Sequence, residues 1–140
     1  MTGAARGVAT RIGARAGRRD NRCVATRILI VDDHSSFRAV ARRLLEADGY
    51  EVVGEAADGE AGVGAVAALR PDVVLLDVHL PGIDGFEAAS RISAAGNGTA
   101  VILTSSRDAS DFGPLVESSG ARGFVPKDRL SGDALHALLS

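Results

Sequence analysis

Residues 71–85 read PDVVLLDVHLPGIDG, in which four consecutive apolar residues lead into Asp77 and then into a turn rich in proline and glycine. A short apolar run bounded by turn residues is typical of a strand buried on both faces, as in a parallel sheet. Asp77 would end that strand, and ligands of open α/β sheets bind outside the carboxyl ends of the strands. An aspartate in this position can also simply cap the turn that follows. The other strand ends decide between the two interpretations.

Strand and helix patterns alternate along the rest of the chain. The predicted strands are residues 27–31, 51–57, 72–77, 100–105 and 122–125. The second strand is the least apolar, which favours an edge of the sheet. Helical patterns separate the strands, and the order βαβαβαβαβα predicts a parallel sheet with helices on both faces and right-handed crossovers.

Capping residues predict where the helices begin. Ser35 or Ser36 is placed to cap the first helix, and Ser131 the last. Asp84 with Glu87 three residues later resembles a capping box for the third helix.

The fourth helix has the least regular sequence. Asp108 is expected to cap it. Gly113 and Pro114 would then fall inside the helix and distort it, because proline lacks a backbone donor. We therefore expect a short or irregular surface there.

Composition limits the class of protein. A chain of 140 residues with 46% hydrophobic content fits one small α/β domain. No apolar run approaches the roughly 18 residues that a transmembrane helix requires. The single Cys23 cannot form an internal disulfide, which suits a reducing compartment. We therefore expect a cytoplasmic protein without a membrane span.

The amino-terminal arm, residues 1–26, differs in charge from the rest. Residues 1–27 contain seven arginines and one acid, a net charge of +6, whereas the remainder carries −8. Rich in Gly, Ala and Arg and without apolar periodicity, the arm is predicted to be disordered, and the folded domain to occupy residues 27–140. A solvated tail, a weak binder of nucleic acid or acidic surfaces, and a transit peptide are the three interpretations of the arm.

Chemically active side chains stand at the ends of the predicted strands. Asp32 and Asp33 follow the first strand, Asp77 ends the third, Ser105 ends the fourth, and the only lysine of the chain, Lys127, follows the fifth. If the strand order is 2-1-3-4-5, the first and third strands are neighbours and the three carboxylates converge on one cleft. Each residue alone has an ordinary structural interpretation, but their joint placement indicates a site.

Three carboxylates at close range repel one another unless a cation lies between them. Oxygen ligands favour a hard cation such as Mg²⁺, which keeps several of its waters. A carboxylate can accept a phosphoryl group and form an aspartyl phosphate. The added charge of about −1.5 to −2 needs partners, and Lys127 and Ser105 are available.

Four motifs carry a resemblance to a known family. They are ILIVDDH, VVLLDVHLPGIDG, AVILTSS and GARGFVPK. With them, residues 27–139 resemble a response-regulator receiver domain of bacterial two-component signalling. The resemblance implies a flavodoxin-like, doubly wound (βα)5 fold with a five-stranded parallel sheet in the order 2-1-3-4-5. It also implies a Mg²⁺-dependent phosphoacceptor that receives its phosphoryl group from a sensor histidine kinase.

The resemblance assigns a role to each matching residue. Asp77 would be phosphorylated. Asp33 would be the direct acidic metal ligand, Asp32 would act largely through water, and the backbone carbonyl of His79 would complete the protein ligands. Lys127 would contact the phosphoryl oxygens. The side chain of His79 has no second His or Cys spaced to assist it, which disfavours it as a metal ligand or phosphoacceptor.

The switch residues implied by the resemblance are a hydroxyl and an aromatic ring. Spacing from the motifs on both sides selects Ser105, with Thr104 as the second candidate. Phe124 occupies the aromatic position. The hydroxyl would move to the phosphoryl group, the ring would turn inward, and the face formed by the fourth helix, fifth strand and fifth helix would change shape. Asp128 replaces the proline that usually follows the lysine in the family.

We therefore predict a single-domain response regulator, a signalling phosphoacceptor with only self-catalysed phosphorylation and dephosphorylation. Its partners would be a sensor histidine kinase and a downstream protein or phosphotransfer protein, with a homodimer as an open alternative and nucleic acid bound only weakly through the arm. The receiver part of a truncated DNA-binding transcriptional regulator is one alternative. A non-phosphorylated receiver-like interaction module is another. An aspartate-nucleophile phosphatase is disfavoured because His79 stands where a second aspartate would be expected.

Overall fold

The structure is a computed structural model that describes residues 25–106 and 112–140. Most of the amino-terminal arm and the predicted cap Asp108 lie outside these residues. The expectations for the arm and for that cap therefore stay predictions.

Five parallel strands form one sheet. They are β1 (Arg27–Val31), β2 (Glu51–Ala56), β3 (Val73–Asp77), β4 (Ala100–Ser105) and β5 (Gly123–Pro126). The order across the sheet is β2-β1-β3-β4-β5, and every neighbouring pair is parallel. The predicted order 2-1-3-4-5 is confirmed, as is the edge position of the more polar second strand.

The described helices connect the strands, and a short 3-10 turn, Lys127–Arg129, follows β5. The helices are α1 (Ser35–Ala47), α2 (Gly59–Leu69), α3 (Gly85–Ala95), α4 (Gly113–Ser118) and α5 (Gly132–Leu139). Within residues 25–106 and 112–140, none of the helices combines the length and the apolar composition that a bilayer crossing requires.

Alternation along the strands builds one hydrophobic core on each face of the sheet. On β1, Ile28 and Ile30 point to the face that α1 and α5 cover, and Leu29 and Val31 to the face of α2, α3 and α4. All four side chains are fully buried. Burial on both faces explains the continuous apolar runs, because a strand in the middle of such a sheet has no face exposed to water.

The side-chain caps of two predicted helix starts are confirmed. The Asp84 side chain accepts a hydrogen bond of 2.9 Å from the Glu87 N–H, and Ser131 accepts one of 3.0 Å from the Ala134 N–H. Both acceptors satisfy a backbone donor that the first turn of a helix leaves unpaired.

The prediction for the start of α1 was wrong. His34, rather than Ser35 or Ser36, occupies the capping position, and its side chain makes no capping hydrogen bond. The helix begins one residue after the acidic pair that follows β1, so both serines fall within its first turn.

The expected short fourth helix is confirmed, but the prediction that Gly113 and Pro114 would fall inside it and distort it was wrong. α4 has six residues and begins at Gly113, with Pro114 in its first turn. A proline there costs no hydrogen bond, because the N–H groups of the first turn have no partner inside the helix.

Candidate functional site

Strand register brings the predicted site residues to one edge of the sheet. Val31 of β1 lies beside Leu76 of β3, so Asp32 and Asp77 end neighbouring strands at the same level. Lys127 immediately follows β5, and its side chain reaches across the edge to both carboxylates. The convergence of these acids, expected from the strand order, is observed.

Asp32 is fully buried and held on both oxygens. Its Oδ1 accepts a 2.8 Å hydrogen bond from the His34 N–H. Its Oδ2 lies 2.7 Å from the Lys127 ammonium nitrogen. That contact is an ion pair without hydrogen-bond geometry, and no other donor in the described part of the chain reaches this buried oxygen.

Asp77 is 2% exposed and less well compensated. The His79 N–H donates a 3.3 Å hydrogen bond to Oδ1, and Lys127 Nζ lies 3.5 Å from Oδ2. Burial raises the pKa of the Asp77 carboxyl, and the nearby Asp32 charge raises it further, while Lys127 and the His79 hydrogen bond oppose the rise. The ionised form of Asp77 is therefore disfavoured in the absence of a further cation.

Lys127 is positioned by packing as well as by charge. Its side chain is 17% exposed, and its ammonium nitrogen lies 4.4 Å from the centre of the Phe37 ring. A ring face at this distance attracts a cation. One ammonium thus serves two buried carboxylates, and the site formed by the described residues retains net negative charge.

Gly85 explains how the start of α3 comes so close to Asp77. Its N–H donates a 2.8 Å hydrogen bond to the Val78 carbonyl. A Cβ at this position would collide with the Asp77 carbonyl oxygen and stand 2.7 Å from the Val78 Cα. Only glycine lets the helix close over the backbone of β3 at this point.

The acidic group is a candidate cation site. One ligand atom from each of Asp32, Asp33, His34 and Asp77 lies within 4.8 Å of the others. Carboxylate oxygens are the ligands that Mg²⁺ prefers, and the buried Asp32 Oδ2 has no hydrogen bond among the described residues. These residues therefore fit a hard divalent cation.

The sequence interpretation missed His34. Its Nδ1 lies 3.1 Å from Asp32 Oδ1 and 3.1 Å from Asp33 Oδ1. The only available signal was its position directly after the two acids, which does not indicate the direction of the ring.

The two hydroxyl candidates lie on opposite faces of β4. Both Thr104 and Ser105 are buried. The Thr104 hydroxyl donates a 2.6 Å hydrogen bond to the Val125 carbonyl and so links β4 to β5. Ser105, the last residue of β4, lies beside Pro126 in the register.

An aromatic cluster lies under α4. The Phe112 ring is 5.9 Å from the Phe124 ring, 5.7 Å from the Phe86 ring and 5.9 Å from the His79 ring. The sequence predicted a role for Phe124 but not for Phe112. The two phenylalanines are far apart in the sequence, so no helix or strand periodicity relates them. Through Phe112, the cluster connects His79, two residues after Asp77, to Phe124 on β5.

Comparison with known proteins agrees with the geometry. A family model described as response regulator receiver domain matches residues 28–140. A putative transcriptional regulator of Pseudomonas aeruginosa is 36% identical over 102 residues, 73% of this chain and 49% of the relative. The probable transcriptional regulatory protein NarL of Mycobacterium tuberculosis is 37% identical over 114 residues, 81% of this chain and 53% of the relative. The chain thus spans about half the length of the curated relatives it matches.

Solved structures show the same fold. The receiver domain of the putative response regulator NarL from Mycobacterium tuberculosis has a TM-score of 0.75 and 35% identity, covering 82% of this chain and 94% of that chain. A chain of the CheX–CheY–BeF3–Mg²⁺ complex from Borrelia burgdorferi has a TM-score of 0.72 and 25% identity, covering 81% of this chain and 86% of that chain. This chain belongs to the response-regulator receiver domains of two-component signalling.

Proposed function

We propose that this protein accepts a phosphoryl group on Asp77 from the phosphohistidine of a sensor histidine kinase and passes the signal on through a change of shape. The observation that carries this proposal is the buried Asp77 carboxylate, which lies 3.5 Å from Lys127 and beside a second buried acid, Asp32. Such an arrangement does not stabilise the fold by itself, because its carboxylates outnumber its cations.

Asp33 and Asp77 are the proposed direct ligands of Mg²⁺, with Asp32 acting through water and the His79 backbone carbonyl completing the protein ligands. These residues would hold Mg²⁺, which would supply charge neutralisation of the carboxylates and orientation of the phosphoryl donor. The fit rests on the close grouping of the acids and on the buried Asp32 Oδ2, which lacks a hydrogen bond among the described residues.

The protein's own groups supply the acceptor and the charge compensation. An Asp77 carboxylate oxygen attacks phosphorus, and the bond from phosphorus to the kinase histidine nitrogen breaks, with its electron pair leaving on the imidazole. The Lys127 ammonium then has phosphoryl oxygens as partners in addition to the carboxylates. Because its side chain is long and flexible, it can make this exchange without backbone movement.

Ser105 is the proposed switch hydroxyl and Phe124 the proposed switch ring. The Thr104 hydroxyl already bonds to the Val125 carbonyl, so its movement would break a link between β4 and β5. Phe124 packs against Phe112, next to the start of α4, so rotation of this ring would disturb the α4–β5–α5 face. Phosphorylation would favour the packing in which Ser105 contacts the phosphoryl group.

The proposed output is docking of the α4–β5–α5 face on a partner protein or transfer of the phosphoryl group to a phosphotransfer protein in the cytoplasm. In this proposal residues 27–140 act as a single-domain regulator, and residues 1–26 are a basic arm outside the domain. Control of transcription is the alternative, favoured by relatives that are named as transcriptional regulators and are about twice as long as the matched region.

Intact mass spectrometry tests the phosphoacceptor. The protein is incubated with acetyl phosphate and MgCl₂, beside Asp77→Asn and beside Asp128→Asn, which removes an exposed aspartate near the same edge. We expect a Mg²⁺-dependent gain of one phosphoryl group in the wild type and in Asp128→Asn, and its loss on treatment with hydroxylamine, which cleaves acyl phosphates.

The Asp77→Asn variant should show no adduct. An adduct of equal yield in that variant would assign the phosphoryl group to another residue. A folded wild-type protein that gains no mass would instead favour an interaction module that works without phosphorylation.

A further inference from the structure

The His34 ring contacts the acids that follow β1, with Nδ1 within hydrogen-bond distance of Asp32 Oδ1. Its side chain is 65% exposed, and although the residue precedes α1, the ring makes no capping hydrogen bond. Yet the ring turns back toward the acids, with Nδ1 at 3.1 Å from an oxygen of Asp32 and at 3.1 Å from an oxygen of Asp33. With a proton on Nδ1 this contact is a hydrogen bond to Asp32, whereas without that proton the same geometry leaves the nitrogen lone pair facing the acids, where it can bind a cation.

These separations suit ligands of a common ion. Imidazole nitrogen and carboxylate oxygen bind divalent metals at about 2.0–2.2 Å. Two ligands at right angles around one ion are then about 3.0 Å apart, from the same bond lengths. The His34 nitrogen meets this condition with Asp33, the proposed direct acidic ligand, and Asp77 completes a group whose ligand atoms lie within 4.8 Å of one another.

A second observation independently indicates a ligand here. Asp32 Oδ2 is buried and, among the described residues, has the Lys127 ammonium at 2.7 Å as a charge partner but no hydrogen-bond donor. A buried carboxylate oxygen in that state retains a lone pair for a cation or for a water bound to one. Asp32 therefore contributes an oxygen without a hydrogen bond among the described residues to the same group as the His34 nitrogen.

We propose that Nδ1 of His34 is a ligand of the divalent cation bound at this edge of the sheet, and that it shifts the preference of the site from Mg²⁺ toward borderline ions such as Mn²⁺ and Co²⁺. The inference rests on the proposed cation site and adds a nitrogen ligand to its oxygen set. Mg²⁺ prefers oxygen, whereas imidazole binds later first-row ions well, and affinity for them rises along the series from Mn²⁺ to Cu²⁺.

The additional ligand is compatible with the proposed phosphoryl acceptance. With Asp33, Asp77 and the His79 carbonyl, His34 would be the fourth protein ligand, and a six-coordinate ion keeps two open positions. His34 would thus replace a water rather than exclude the phosphoryl donor.

A competing explanation predicts that removal of the His34 ring raises the affinity for cations instead of lowering it. In a site without a metal, His34 Nδ1 can donate a hydrogen bond to Asp32 Oδ1, 3.1 Å away. A divalent cation would then have to displace the ring, and removal of the ring would strengthen the binding of every cation. The two explanations are separated by comparing ions with and without the imidazole.

Calorimetric titration of the whole protein with MgCl₂ and with CoCl₂ makes that comparison. The variants are His34→Ala and the matched control His136→Ala, which removes an exposed histidine on α5 outside the acidic group. We expect His34→Ala to lose about tenfold or more in Co²⁺ affinity, at least the loss typical of disturbing a metal ligand. Its Mg²⁺ affinity should change far less, and His136→Ala should match the wild type for both ions.

Pulsed EPR of the Mn²⁺-loaded protein provides the direct readout. Modulation from an imidazole nitrogen should appear in the wild type and in His136→Ala and be absent in His34→Ala. No nitrogen signal in the wild type, or a His34→Ala variant that binds both ions equally weakly or both more tightly, would overturn the proposal. Thermal unfolding of each variant shows that it is folded.

The outcome is separable from that of the proposed function. If His34→Ala leaves the ion preference unchanged but still gains a phosphoryl group on Asp77 with Mg²⁺, only the role of His34 is lost. If the wild type shows the nitrogen signal but never gains a phosphoryl group, the metal ligand stands and the phosphoacceptor does not.

Discussion

Two charge clusters on this domain have opposite balances. In the surface cluster, Arg38, Glu55 and Arg42, two guanidinium groups bind one carboxylate, with nitrogen–oxygen distances of 2.9 and 2.8 Å. In the rim cluster, Asp32, Lys127 and Asp77, one ammonium serves two buried carboxylates at 2.7 and 3.5 Å. Glu55 thus has two cations to itself, although Arg42 also contacts Glu46 at 3.3 Å, whereas Asp32 and Asp77 share one cation.

The pKa values of the two central acids move in opposite directions. Hydrogen bonding to Arg42 lowers the pKa of Glu55, against a smaller opposing effect of burial. Burial raises the pKa of Asp77, and the Asp32 charge adds to the rise. The same residue class is thus stabilised as an anion at one place and destabilised as an anion at the other.

The difference separates structure from function. A carboxylate with two guanidinium partners needs nothing further, and such a pair near the surface contributes little more than local order. A buried carboxylate that shares one ammonium with a second carboxylate lowers the stability of the fold unless it binds a cation or a proton. Binding of a cationic ligand should therefore change the stability of the protein more at the rim cluster than at the surface cluster.

The largest effect is expected when the rim cluster loses its only ammonium. Lys127→Met keeps the length of the side chain but leaves two buried acids uncompensated, which should lower the free energy of unfolding by about 3 kcal/mol. Urea unfolding in EDTA measures the loss. Arg129→Met, which removes an exposed cation from the same 3-10 turn, is the control and should be nearly neutral.

Mg²⁺ should restore much of the loss in Lys127→Met. A cation present at about 100 times its dissociation constant stabilises the folded state by about 2.7 kcal/mol. A variant as stable as the wild type in EDTA would show that the two carboxylates are already neutral and that the rim cluster lacks the proposed excess of charge.

Close packing is the second feature that separates the rim cluster from the surface cluster. Gly85→Ala places a methyl group against the Asp77 carbonyl and the Val78 Cα, so α3 must move away from β3. Such overpacking should cost about 2 kcal/mol. Gly64→Ala is the matched control, because nothing lies within 4 Å of a Cβ at that helical position. Equal thermal stability of the two variants would contradict the close approach.

The sequence predicted most of the fold because burial on both faces imposes long apolar runs. The strands that carry the site could be located to within about a residue, and a parallel sheet necessarily brings their carboxyl ends to one edge. The positions of Asp32, Asp77 and Lys127 followed from that geometry alone. Their roles as metal ligands, phosphoacceptor and phosphoryl contact remain predictions.

Tertiary contacts determined the features that the sequence did not reveal. His34 directly follows Asp32 and Asp33 in the sequence. This position is the same whether the ring turns toward the two acids or toward water, so the sequence does not reveal the direction of the ring. The start of α4 at Gly113 turned an expected helix breaker, Pro114, into a residue of the first turn. Phe112 contacts the rings of His79, Phe86 and Phe124. These residues come from separate segments of the chain, so no helix or strand periodicity in the sequence relates them.

Asp77→Asn should give the rim cluster the one-to-one balance it lacks. Since the folded-state pKa of Asp77 is raised, the folded protein holds that proton more tightly than the unfolded chain. The ordinary pKa of an aspartate is about 3.9. Without metal, the stability of the wild type therefore falls as the pH rises from that value through the raised pKa of Asp77. Asp77→Asn has no carboxyl at this position and does not show this loss.

We expect Asp77→Asn to melt several degrees higher than the wild type at neutral pH in EDTA and to lose this advantage in acid. Mg²⁺ should narrow the gap, because it stabilises the wild type more. Differential scanning calorimetry across pH measures both trends. A variant that is less stable at neutral pH would show that the ionised Asp77 is a favourable partner of Lys127.

Glu55→Gln is expected to have the smallest effect and the opposite slope. The folded-state pKa of Glu55 is lowered, so its contribution is present above the ordinary value of about 4.3 and is lost as pH falls through the lowered value. The Arg42 partner is 37% exposed and screened by solvent, which limits the loss at neutral pH to about 1 kcal/mol or less. The penalty should shrink in about 0.5 M NaCl. Calorimetry at several pH values should then show the Glu55→Gln penalty and the Asp77→Asn advantage both growing with pH, whereas a common sign would mean that the two clusters do not differ in balance.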